Sequence, residues 1–203
     1  MGQRSQIYVR YANRREERKQ LIAKYFGWNY GERMISRTRW GLEKILCNME
    51  NPYNTDVYAC PEKVEILSRM FDVNFDMHDI LPSCDIVKEW KELASEKSFN
   101  ETVFKEQACN DGKLLIDILE KEVKYAFLDR QANPEHIMDS ERYMSWDSGA
   151  DWRTGSCMTE EMRETCEANI RYIAEHATLM TKEEVEEFMQ YDYGFTPAPE
   201  NHN

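Results

Sequence analysis

Residues 6–44 constrain the fold more than any other part of the chain. Ile7, Val9 and Tyr11 alternate with Tyr8 and Arg10, the period of a half-buried strand. Leu21, Ala23 and Tyr25 alternate with Ile22, Lys24 and Phe26 in the same way, and the charged residues 13–19 between the two runs suit a hairpin loop. Gly27-Trp28-Asn29-Tyr30-Gly31 then brackets aromatic residues with two glycines, which separates strand from helix. From Glu32 onward, Met34, Thr38, Leu42, Ile45 and Met49 share one helical face, widened by Ile35 and Leu46. Arg33, Arg37, Trp40 and Lys44 share another.

A second β region follows. Residues 114–119 and 123–128 form two apolar runs joined by the charged turn Glu120-Lys121-Glu122, with the turn signal Asn110-Asp111-Gly112 ahead of them. Residues 103–107 read as a further short strand. There is no βαβ alternation and no glycine-rich phosphate loop, which argues against a dinucleotide fold. The expected class is therefore α+β. Two hairpins form a small antiparallel sheet of four or five strands, with helices packed mainly on one face. One domain over residues 1–196 and a disordered tail over 197–203 complete the expectation.

Helices are expected to open at Pro61 and at Cys84, where the second runs to Glu96. Asn133-Pro134 opens a helix running to about Trp146. Thr159 begins a long one with Met162, Cys166, Ile170 and Ile173 on one face, and Thr181-Lys182-Glu183-Glu184 matches a capping box for a last short one. Between the third and fourth of these, Trp146-Asp147-Ser148-Gly149-Ala150-Asp151-Trp152-Arg153 sets two tryptophans and two aspartates around a glycine. This corner reads either as a packed loop shielding the sheet edge or as an acidic contact surface built on Trp146, Asp147, Asp151 and Trp152.

Charge is distributed unevenly. Residues 1–45 hold 11 Lys/Arg against 4 Asp/Glu, residues 46–203 hold 15 against 34, and the whole chain carries −12. Such a surface repels duplex DNA over most of its area, whereas an acidic face can occupy the basic groove of a partner. The basic part offers Arg4, Arg33, Arg37 and Lys44, with Trp28 and Tyr30 beside them. A row of like charges on a helix is unfavourable unless something negative lies along it. Three roles follow: a solvated face, a phosphate or carboxylate docking stripe, or internal ties to the acidic remainder.

Six cysteines show neither a CxxC pair nor zinc-like spacing with histidine, so reduced thiols and a cytoplasmic setting are expected. No apolar run approaches a membrane span, and the basic N-terminal segment lacks the apolar core of a secretory signal. Asp76, His78 and Asp79 are the nearest approach to a metal set, on spacing too weak to predict one. No cofactor is expected, and no nucleophile–base–orienter set can be assembled from the sequence.

Two segments carry a resemblance. Gly2-Gln3-Arg4-Ser5-Gln6-Ile7-Tyr8-Val9-Arg10-Tyr11 and Trp28-Asn29-Tyr30-Gly31-Glu32-Arg33-Met34-Ile35-Ser36-Arg37 resemble a group of uncharacterised proteins from phages and conjugative elements of anaerobic gut bacteria. The likeness continues through Asn110-Asp111-Gly112-Lys113-Leu114 and Tyr125-Ala126-Phe127-Leu128-Asp129 to Trp146-Asp147. It implies a setting and no activity. Small acidic proteins of mobile elements are often inhibitors of host defence, anti-CRISPR proteins among them. The expected function is thus a non-enzymatic interaction protein that inhibits a host defence enzyme such as an RNA-guided nuclease. The alternative is a nucleotide- or phosphate-binding protein, with or without catalysis, that grips its ligand with Arg33 and Arg37.

Overall fold

A computed structural model describes residues 4–12, 18–50, 84–85, 104, 110–149, 151–155 and 158–194. The two alternating runs near the start become β1 (Arg4–Ala12) and β2 (Lys19–Gly27), an antiparallel hairpin that sets Arg4 opposite Gly27 and Ala12 opposite Lys19. The second pair becomes β4 (Lys113–Ile118) and β5 (Val123–Leu128), also antiparallel. Two-residue strands, β3 (Cys84–Asp85) beside β2 and β6 (Thr178–Leu179) beside β5, complete a six-stranded sheet in the order β3-β2-β1-β4-β5-β6.

The class is α+β with two hairpins, and the hairpins are joined by a parallel pairing of β1 with β4. The β5–β6 pairing is parallel too, so the sheet is mixed where the sequence reading has it antiparallel. Strand β2 returns the chain to the edge where β1 begins, and residues 28–112 lead from there past β1 to the start of β4 at that same edge. Strand β4 is paired on both sides and every one of its residues is buried, which suits the apolar run Leu114-Leu115-Ile116.

Helix α1 (Gly31–Glu50) packs on one face of the sheet with α2 (Ser140–Ser148) and α3 (Glu160–His176). Met34, Ile35, Thr38, Leu42 and Ile45 of α1 are buried, as the helical spacing predicts, against Ile7, Val9, Ile116 and Phe127 of the sheet. The opposite face carries Tyr8, Leu21, Ala23, Leu115, Ala126 and Leu128, covered by Phe104 and by α4 (Lys182–Gln190) through Val185, Phe188 and Met189. Most of the described helical mass therefore lies on one face, with α4 on the other. Thr181 caps α4 in a reciprocal box with Glu184, and Thr159 caps α3, both as the sequence predicts.

Two expected helices change. Asn133-Pro134 opens only a 3₁₀ turn, Pro134–His136, because Met138 then pairs with Phe127 in an isolated β-bridge. Asp139 starts α2 afresh as its N-cap, accepting from Arg142 N–H. Cys84 lies in β3 and not at a helix start. The expected helix at Pro61, the group Asp76, His78 and Asp79, the tail 197–203 and the strand 103–107 apart from Phe104 fall outside the described residues.

Candidate functional site

Strands β1 and β4 begin, and β2 and β5 end, at the same edge of the sheet. Both aromatic corners of the sequence meet there. Asp111 N–H donates to the Arg4 carbonyl at 2.9 Å, and the Arg4 N–H donates back to the Asp111 carboxylate. Tyr143 Oη donates to the Asp111 carbonyl at 2.8 Å while its ring stacks on Phe127. Gly112 is required at this turn. Its φ is +85°, and a Cβ would stand 2.6 Å from the Leu128 carbonyl and 3.2 Å from the Trp146 ring.

Asp147, near the end of α2, reaches across to the start of α1. Its carboxylate accepts from the Gly31 backbone N–H, and a Cβ on Gly31 would lie 3.0 Å from Asp147 Oδ2. Burial, then the charges of Asp111 and Glu32, push the Asp147 carboxyl up to about 7 against the opposing Gly31 N–H. Burial likewise raises Asp111, against the Arg4 N–H.

Asn29 is fully buried and joins the corner to both hairpin and helix. Its Nδ2 donates to Ser5 Oγ at 2.8 Å, and its Oδ1 accepts from Arg37 Nε at 2.9 Å. Arg37 itself is 3% exposed and lies over the Phe26 ring at 4.6 Å, so it is part of the packed interior and not of an open stripe. Arg33 is half-buried; its Nη1 donates to the Trp28 carbonyl at 3.3 Å and its guanidinium sits over the Tyr30 ring. Lys44 lies over the Trp40 ring at 4.4 Å. Arg4 is exposed. The structure therefore gathers Arg4, Trp28, Tyr30 and Arg33 with Trp146 and Asp147, and sets Lys44 apart, more than three helical turns along α1.

The predicted acidic corner divides in two. Gly149, in the left-handed region, ends α2 and turns the chain away. Trp152 is 3% exposed, donates from Nε1 to Glu141 Oε1 at 3.3 Å and is covered by Arg153, so it is core and not contact surface. Asp151 is exposed, and its carboxylate accepts from Arg153 N–H within the 151–155 turn.

A groove of ≈ 370 Å³ runs between α1 and α3, lined by Glu32, Arg33, Ser36, Glu161, Met162, Thr165 and Cys166. Glu32 and Arg33 belong to both groove and corner. Cys166 is buried, and burial pushes its thiol up to about 12, which makes it a poor nucleophile.

On the other face, Arg10 is a buried charge that the sequence reading did not single out. Its cross-strand neighbour is Asp117, which it grips with Nε at 2.9 Å and Nη2 at 2.5 Å. Arg10 Nη1 lies 2.5 Å from Glu187 Oε2 as an ion pair whose angle makes no hydrogen bond. Burial opposes its charge, but Asp117 and Glu187 outweigh it and hold the guanidinium protonated. Lys113 is also fully buried, donating to the Arg130 carbonyl at 2.9 Å. Alternation alone could have placed Arg10 on the face of Tyr8, but its partner stands 107 residues away in sequence.

Among the described residues, no three His, Cys, Asp or Glu side chains come together in a way that could hold a metal ion, and no helix is long and apolar enough to cross a membrane. His136 meets Asp129 at 3.0 Å, yet that carboxylate also receives the Gln131 and Asn133 backbone N–H groups, as a turn requires. No protein-family model matches the chain, and no curated protein or solved structure shows significant similarity to it.

Proposed function

We propose that this protein is a non-enzymatic interaction protein of a mobile element, one that inhibits a host nucleic-acid-targeting defence enzyme such as an RNA-guided nuclease. It acts by occupying the enzyme's nucleic-acid groove or by holding the enzyme inactive. The observation that carries this reading is the corner at the sheet edge, where the half-buried Glu32 and Asp147 stand with the buried Asp111 beside the exposed Trp28 and Trp146. With the chain's net charge of −12, this corner suits a basic groove better than phosphate. The resemblance to mobile-element proteins supplies the setting.

The phosphate-gripping alternative has less support. It needs Arg33 and Arg37 to open together towards a ligand, whereas Arg37 is buried on Phe26 and Asn29 and Arg33 is set on Tyr30 and the Trp28 carbonyl.

The test is a cleavage assay with a purified host RNA-guided nuclease and an equimolar amount of this protein. Cleavage should fall, and the inhibition should fade as salt rises and as the nuclease is preloaded with its own nucleic acid. Undiminished cleavage across the host's RNA-guided nucleases would end this reading, and a nucleotide that co-purifies with the protein would favour the alternative.

A further inference from the structure

Residues 178–194 are fastened to the body of the protein by charge as well as by packing. Among the described residues, their backbone joins the sheet at β6, two residues beside β5, and through Met180 N–H to the Tyr125 carbonyl at 2.8 Å. Helix α4 then lies on the second face through its side chains, with Val185, Phe188 and Met189 buried there. Two of its carboxylates meet three cations of the sheet. Glu187 lies 2.5 Å from Arg10 Nη1 and 3.7 Å from Lys19 Nζ, and Glu184 lies 2.6 Å from Lys124 Nζ. At the two ends of the segment, Lys182 pairs with Glu135 and Asp192 stands 3.7 Å from Arg18, while Tyr191 Oη accepts from Lys19 N–H at 2.9 Å. The Glu187 and Glu184 side chains are 49% and 36% exposed, so dissolved ions reach them. Each cation is also provided for without α4: Arg10 keeps Asp117, Lys124 keeps Glu122, and Lys19 is 32% exposed to water. Lifting α4 therefore strands no buried charge in the body. A helix of nine residues does not persist alone in water, so release from the sheet and melting of α4 are one event.

We propose that residues 178–194 form an ionic clasp, a segment that opens as a unit while the rest of the sheet stays folded, and that the ion pairs of Glu184 and Glu187 set how often it opens. Burial of Val185 and Phe188 keeps the clasp closed most of the time, and the charge pairs add to that hold in a way that salt weakens. Opening uncovers Tyr8, Leu115 and Leu128 of the second face. The first face keeps its own core, in which Ile7, Val9 and Ile116 pack with Met34 and Ile45 of α1. Such local opening is how a folded chain exposes one element without losing the others. The clasp stands independently of the inhibitor reading, since it concerns contacts within this chain alone.

The test is amide hydrogen exchange of the full-length protein, read by mass spectrometry for residues 185–190 and for β4. Residues 185–190 should exchange about a hundredfold faster than β4, whose amides open only with the whole molecule. Ile45→Val, in the core of the first face, should speed exchange in β4 about fivefold and leave residues 185–190 within about twofold, because that core is intact when the clasp is open. Glu184→Gln with Glu187→Gln removes both charges, and glutamine at position 184 can still accept from Thr181 N–H as the glutamate does. This pair should speed exchange in residues 185–190 about tenfold at low salt and remove most of its response to about 1 M sodium chloride. Glu175→Gln, exposed on α3, should change the rate by less than about twofold. The proposal is overturned if residues 185–190 exchange at the β4 rate, or if Ile45→Val speeds both equally, since α4 would then open only with the whole molecule. It is also overturned if the double variant exchanges like the parent, or if Glu175→Gln costs as much, since the fastening would then not reside in these ion pairs.

Discussion

Asp147 shows what a single residue contributes. In the unfolded chain its carboxyl titrates near 3.8, and in the fold it titrates near 7. The folded state therefore binds this proton more tightly than the unfolded one between those values. Stability then falls as pH rises from about 4 through 7, opposite to a carboxylate held by a cation. Asp111, also raised, adds in the same direction. A shift of this size corresponds to at most about 4 kcal/mol, and partial solvent access reduces it to about 1–3 kcal/mol. Asn at position 147 can still accept from Gly31 N–H without the charge. Asp147→Asn should accordingly raise the urea midpoint at pH 8, have little effect at pH 4, and flatten the profile between. An equal effect of the substitution at both pH values would show that the charge on Asp147 is not the cause. The same corner holds Trp28 in its left-handed backbone, so two unfavourable features share one place.

At the scale of elements, the two central strands are held by opposite charges across a parallel pairing. Arg10 of β1 grips Asp117 of β4 and reaches Glu187 of α4, with its guanidinium over the Phe188 ring at 4.6 Å. It thus joins three elements beneath the smaller helical layer. Removing one partner of a buried pair leaves the other charge without compensation, so Arg10→Ala should destabilise the protein by about 3–5 kcal/mol. Adding Asp117→Leu to it should recover a good part of that loss, because the stranded carboxylate is then gone. Denaturant midpoints of the parent, single and double variants decide this. A double variant no better than Arg10→Ala would mean that the stability comes from packing of the arginine stem on Phe188 and not from the charge pair. Helix α4 depends on more than this contact: its Thr181–Glu184 capping box was legible from four consecutive residues, as local chemistry is.

For the molecule as a whole, β1 is the strand on which both halves of the sequence depend. It pairs with β2 over nine residues and with β4 over six, and its Ile7, Val9 and Tyr11 lie in a core shared with α1, α2 and α3. The basic hairpin–helix unit cannot close that core alone. Residues 1–50 expressed as a fragment should show no cooperative melt by circular dichroism, and a cooperative transition in the fragment would show that the two halves are separable. By itself, the sequence determined what depends on near neighbours. The alternation of Ile7, Val9 and Tyr11 specified a strand, the spacing of Met34, Thr38, Leu42 and Ile45 specified the buried face of α1, and Thr159 and Thr181 marked helix starts. Pairing across long separations was settled only by the tertiary structure. The parallel join of β1 and β4 depends on an 85-residue connection, residues 28–112, that leaves and re-enters the sheet at one edge and whose closure no local period encodes. The pairing of Arg10 with Asp117 follows from that join and nothing nearer. Arg37 reads as one of a row on a helix surface, but the fold turns it inward onto Phe26 because Asn29 is there to receive it. Asp147 and Gly31 each stood in a recognisable corner, and their meeting follows from how α2 and α1 pack on one sheet face, where side chains distant in sequence share a few ångströms of space.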